Sequence, residues 1–141
     1  MRATAIFLAG IFLAGCSSQP TAAKPPDPEA VLQGIPAADP AQVERIHDMK
    51  SWRNPYLIVR TDGVALLDPA DNAEITVKID DLLAVLADLP ASNWPYGRVV
   101  AAAEVSVRSS EQDAVAIRRN KGIVGGMLAS AHVAVRWVPA A

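Results

Sequence analysis

Asp62-Gly63 is the tightest constraint on how this chain can fold. It separates two β-rich runs, Tyr56-Leu57-Ile58-Val59-Arg60-Thr61 and Val64-Ala65-Leu66-Leu67. An Asp-Gly link between such runs predicts a β-hairpin, because a type I′ turn needs positive φ at both central residues. Pro69 to Asn72 then reads as a turn. Glu74 to Lys78 alternates polar and apolar residues, with Ile75 and Val77 on one face, and reads as a third strand.

The second half changes period. Asp80 or Asp81 starts a helix in which Leu82, Leu83, Val85, Leu86 and Leu89 form an apolar stripe, and Pro90 ends it. Val99 to Val107 is a strand, and its continuously apolar first half, Val99 to Ala103, suits a central strand buried on both faces. Ser109 or Ser110 caps a second long helix that runs to about Ser130. His132 to Val138 is the last strand, with Val133, Val135 and Trp137 on one face. Ahead of the hairpin, Asp39-Pro40-Ala41-Gln42 has the pattern of a helix start, which predicts a short helix over about 40–50. Strands that alternate with helices require a crossover connection. The expected fold is α+β: a two-layer α/β sandwich with a mixed sheet of about five strands and two long helices on one face.

The N-terminus has a different organisation. Met1 and Arg2 are followed by the apolar stretch Ala3 to Ala14, interrupted only by Thr4. That stretch is too short to span a bilayer as a helix, which needs about 20 residues. It ends in Leu13-Ala14-Gly15-Cys16, which resembles the lipobox of bacterial lipoproteins. The resemblance implies that residues 1–15 are a signal peptide and that Cys16 is lipidated, anchoring the protein to the periplasmic face of a bacterial envelope membrane through several acyl chains. Ser17, in place of the Asp that marks inner-membrane retention, points to the outer membrane. Residues 17–40 hold Pro20, Pro25, Pro26, Pro28, Pro36 and Pro40 out of eleven prolines in the chain. With interleaved Ala, Ser and Gln, this composition predicts an extended spacer. The expected organisation is therefore a signal over 1–15, a lipidated tether over 16–40 and a single α/β domain over 41–141.

Charge and composition bound the function. The 13 Lys and Arg against 15 Asp and Glu leave a formal net charge of −2, with no basic excess for nonspecific nucleic-acid binding. Cys16 is the single cysteine, so the domain contains no disulfide. Its two histidines, His47 and His132, lie outside any nucleophile or metal-ligand motif, so no catalytic residue, metal or cofactor is assigned. Asp68 with Asp71, and Asp80 with Asp81, sit where turn and capping chemistry accounts for them. Gly122, Gly125 and Gly126 do not directly follow a strand, as a phosphate-binding loop would, and read as close helix–sheet packing or a kink.

Candidate binding residues fall in two groups. Trp52-Arg53-Asn54-Pro55-Tyr56 and Trp94-Pro95-Tyr96-Gly97-Arg98 both combine Trp, Pro, Tyr and Arg just ahead of a strand. If those strands are parallel neighbours, Trp52, Arg53, Tyr56, Trp94, Tyr96 and Arg98 share one edge of the sheet. There they either seal the ends of a small core or, if exposed, form a surface for an envelope protein or a cell-wall glycan. Arg118-Arg119-Asn120-Lys121 is the one dense basic run; Arg118 and Arg119 are candidates for gripping an acidic partner or an anionic envelope polymer, or form a solvated helix face.

From Leu57 to Val138 the element order, opened by Val59-Arg60-Thr61-Asp62-Gly63-Val64, resembles the periplasmic domain of the biopolymer-transport accessory family (the ExbD/TolR type). The family's transmembrane helix with its acidic residue has no counterpart in this sequence. The resemblance therefore implies an accessory domain for envelope interactions and not energy coupling. The function expected is that of a non-enzymatic envelope lipoprotein, with peptidoglycan or glycan binding as the alternative.

Overall fold

The computed structural model describes residues 22–68, 71–106 and 110–139. The signal and lipobox over 1–16, the start of the spacer, Pro69, Val107 and Ser109 lie outside the described residues.

Among the described residues five strands form one mixed sheet: β1 (Tyr56–Val59), β2 (Val64–Leu67), β3 (Glu74–Val77), β4 (Val99–Glu104) and β5 (Ala134–Trp137), in the order β3-β2-β1-β4-β5. The β1–β2 and β2–β3 pairs are antiparallel, and β1–β4 and β4–β5 are parallel. This is the expected α+β architecture. Val99 to Ala103 is buried throughout, as a central strand covered on both faces requires.

The hairpin forms, but its turn lies one residue earlier than the sequence suggests. Val59 pairs with Val64, and the Arg60 amide donates to the Gly63 carbonyl at 2.9 Å, so Thr61 and Asp62 occupy the tip. Gly63 continues the ladder with φ of 156°, and a Cβ there would lie 2.6 Å from the Val77 carbonyl oxygen. Glycine is thus needed for its own φ and for the approach of β3, while Thr61 and Asp62 form the turn itself.

Among the described residues four α-helices accompany the sheet: α1 (Pro28–Gln33), α2 (Pro40–Glu44), α3 (Leu82–Ala87) and α4 (Glu111–Ser130). Only α4 is long. The helix expected from Asp80 divides into a 3-10 turn over Ile79–Asp81 and the six-residue α3, and neither aspartate makes a side-chain cap bond. Ser110 caps α4 as expected, accepting from the Asp113 amide at 3.1 Å. The helix expected over 40–50 stops at Glu44, so His47 lies in a loop before a second 3-10 turn, Met49–Ser51.

One face of the sheet carries the main core. Leu57, Leu66, Val77, Val100 and Ala102 meet Leu82 and Leu86 of α3 and Val124 and Leu128 of α4. α1 belongs to this layer, which corrects the expected spacer. Asp27 accepts from the Glu29 amide at 3.2 Å, Pro28 occupies the first turn, and Leu32 is fully buried at 0% exposure against the same core. Asp-Pro starts α1 just as it starts α2, where Asp39 accepts from the Ala41 amide at 3.0 Å. The folded unit therefore begins at Asp27, not at residue 41. On the opposite face, residues 38–52 cover only part of the sheet, with Val43, Ile46, Met49 and Trp52 packing on Val99 and Ala101.

The three glycines of α4 do not break it. Gly125 faces Trp137, whose Cζ2 would lie 3.8 Å from an added Cβ. Gly122 and Gly126 look into open space, so packing does not explain them.

Two expected outcomes separate this arrangement from a tethered domain that starts at residue 41. Leu32→Ala lowers unfolding stability by about 2–4 kcal/mol in urea titrations, since it empties a closed core position; a spacer residue would change nothing. Gly122→Ala and Gly126→Ala each raise stability by about 1 kcal/mol in thermal melts, because helix propensity improves with no steric conflict.

Candidate functional site

Parallel pairing of β1 and β4 brings the two Trp-Pro-Tyr-Arg segments to the same end of the sheet. What joins them is Asn54, the one buried polar side chain among the described residues. Its Nδ2 donates to the Gly97 and Val99 carbonyls, both at 2.7 Å, and its Oδ1 accepts from the Tyr96 amide at 2.9 Å. An amide suits this position because it offers two donors and an acceptor on one planar group. Asn54 thereby ties the entry of β1 to the entry of β4.

The aromatic rings turn inward. Trp52 is 4% exposed, packs on Val99 and Ala101, and donates from Nε1 to the Pro55 carbonyl at 3.2 Å. Trp94 is also 4% exposed, but it belongs to the main core on the other face, and its indole N–H has no partner among the described residues. Tyr96 tilts against Trp52 with 5.4 Å between ring centroids and donates its hydroxyl proton to the Ser51 carbonyl at 2.9 Å. Burial pushes the Tyr56 hydroxyl above its usual pKa. A shared, exposed stacking platform of Trp52, Tyr56, Trp94 and Tyr96 is therefore not what the fold builds. The two tryptophans seal opposite faces of the sheet.

The arginines behave differently from one another. Arg53 stays local, donating to the Lys50 and Trp52 carbonyls. Arg98 is a staple: Nε donates to the His132 carbonyl at 2.7 Å, and Nη1 to the Gln33 and Ile35 carbonyls at 3.0 and 3.3 Å. It joins the end of α1, the start of β4 and the approach to β5. The adjoining Gly97 has φ of 77°, and a Cβ there would lie 2.7 Å from the Ala37 carbonyl oxygen, so the chain over 36–38 passes too close for any other residue. In the basic run, Arg118 pairs with Glu111 and Lys121 with Glu104. Asn120 donates to the Arg60 and Thr61 carbonyls, Lys121 also lies over the Trp137 ring, and Arg119 is exposed. The run fans around α4 and forms no single basic patch.

His132 ends α4. Its φ of 57° is left-handed; its amide donates to Ala129 and the Val133 amide to Leu128, which is a Schellman closure with histidine where glycine is usual. Its ring is exposed. Among the described residues no group of three or more His, Cys, Asp or Glu is placed to hold a metal ion.

These elements frame a groove of about 430 Å³ between residues 37–44 and β5. Ala37, Val43, Val99 and Ala134 supply apolar wall; Arg98, Arg136, His132 and Glu44 supply polar groups. Arg136 donates to the Val43 carbonyl and lies 6.0 Å from the Trp52 ring centroid, within cation–π range. The sequence does not single out Arg136. Its signal was the alternation of β5: with Val133, Val135 and Trp137 on the core side, Ala134 and Arg136 must face the other way.

Asn54→Ala is expected to lower stability by about 2–4 kcal/mol in denaturant titrations, because it strands two carbonyls and an amide away from water. Asn54→Asp is expected to cost at least as much at neutral pH, since a carboxylate cannot donate to Gly97 and Val99.

Comparison with family models, curated proteins and solved structures gives no significant match to this chain.

Proposed function

We propose that this chain is a bacterial envelope lipoprotein, anchored through lipidated Cys16, whose folded domain is a non-enzymatic partner-binding module. The observation that carries this reading is Leu13-Ala14-Gly15-Cys16 at the end of a short apolar stretch, with a folded unit starting soon afterwards at Asp27. Residues 17–26 can span at most roughly 35 Å when fully extended. An anchored domain would then stay within about its own diameter of the bilayer, where an accessory to a membrane assembly must be. Two further features support it. The domain offers a preformed groove with fixed polar groups, and the sequence resemblance of Leu57 to Val138 to the ExbD/TolR-type accessory domains points to the same kind of role. Ser17 favours the outer membrane as the site of anchoring.

Metabolic labelling with radioactive palmitate tests the anchor. The native protein is expected to carry label and to sediment with membranes. Cys16→Ser is expected to lose the label and to keep its uncleaved, larger size. An unlabelled native protein in the soluble periplasmic fraction would overturn the proposal.

A further inference from the structure

We infer that the groove between residues 37–44 and β5 receives an extended, carboxylate-bearing segment of a protein partner. This deepens the partner-binding reading above and rests on it.

The first argument is charge. Arg60, Arg118 and Lys121 each have a carboxylate within salt-bridge distance, Glu74, Glu111 and Glu104 respectively. Arg98 and Arg136, like the exposed Arg45, Arg53 and Arg119, do not; what sets these two apart is that they share one groove. Among the described residues their hydrogen bonds go to main-chain carbonyls: Arg98 to His132, Gln33 and Ile35, Arg136 to Val43 at 2.6 Å. Among the described residues no acid neutralises either one, although the chain holds more acidic than basic side chains. Both line the same groove, against the single acid Glu44. Carbonyl bonds fix where a guanidinium sits without cancelling its charge. A carboxylate arriving there meets donors that are already held in place, so less side-chain freedom is lost on binding.

The second argument is shape, and it selects an extended chain over a small anion. β5 is the last strand of the sheet. The Ala134 amide donates to Arg98 and the Val138 amide to Ala102, so even-numbered residues bond toward β4. By alternation, the N–H and C=O groups of Val135 and Trp137 point outward. No described strand pairs with them. An extended segment laid along this edge gains main-chain partners there, while its acidic side chains reach the arginines and its apolar ones meet the groove wall. The opposite edge, β3, is a poorer template: Glu74 and the following Lys78 are exposed, and such charges discourage strand addition.

The test measures fluorescence anisotropy of labelled octapeptides with the full, detergent-solubilised mature protein. One peptide alternates Asp or Glu with Val; its control replaces the acids by Asn and Gln. The acidic peptide is expected to bind at least tenfold more tightly, with the difference shrinking as salt is raised. Arg136→Gln is expected to weaken it at least tenfold with little change in melting temperature. Glu44→Lys, on the exposed wall, is expected to tighten it severalfold, so the inference stays testable if the Arg136 variant folds poorly. Arg98 is left intact because it staples the fold. Equal binding of the two peptides, or no response to both substitutions, overturns the inference. So does a protein that ignores the acidic peptide yet binds phosphatidylglycerol vesicles in an Arg136-dependent way. The measurement does not depend on acylation: a protein that labels with palmitate and co-purifies with a stoichiometric envelope partner, yet ignores the peptide, loses the groove assignment and keeps the module reading.

Discussion

The three hydrogen bonds of Asn54 are the constraint on which the rest of this domain depends. β1 and β4 are parallel, so no turn can set their register; a crossover connection long enough to include β2, β3 and α3 lies between them. Asn54 sets it locally, by holding the Gly97 and Val99 carbonyls and the Tyr96 amide from a fully buried position. A buried amide costs free energy unless it is satisfied, and here both its ends are. Once that register is fixed, Trp52 falls over Val99 and Ala101, Tyr96 falls against Trp52, and Arg98 reaches the ends of α1 and α4.

The sequence made much of this legible, and where it misled, the cause is physical. Strand alternation and the apolar run of β4 identified the central sheet because burial on one or two faces leaves a direct mark on residue order. The Asp62-Gly63 signal located the hairpin but not its turn, since Gly63 is retained for the approach of Val77. The proline-rich composition of 17–40 hid α1. Asp27-Pro28 carries the same capping logic as Asp39-Pro40, yet α1 has a single fully buried side chain, Leu32, and one buried position makes no periodic stripe. Local capping was the better guide than regional composition.

The candidate site was legible in its location and not in its chemistry. Trp52 and Trp94 do lie at one end of the sheet, but the two rings land on opposite faces. Binding-type residues thus became core. The groove that remains draws its guanidinium groups from Arg98, which follows Trp94-Pro95-Tyr96-Gly97, and from Arg136, which belongs to no such motif. Its wall over 37–44 comes from residues assigned to the tether or to the first helix. A surface assembled from segments far apart in the chain leaves no local pattern.

The alanines of β4 carry one more consequence. Ala101, Ala102 and Ala103 are buried on alternating faces. Ala101 lies under Trp52, and Ala102 lies in the core with Val124 and Leu128. With side chains this small the strand acts as a thin partition, and close-packed interiors pass strain on instead of absorbing it. Enlarging any of these residues would displace a layer, so the strand has little freedom to drift in evolution. Variation in this molecule should collect instead on the outer side of α4 and in the loop around His47, and among distant relatives Ala101 and Ala102 should change, if at all, together with the residues packed on them.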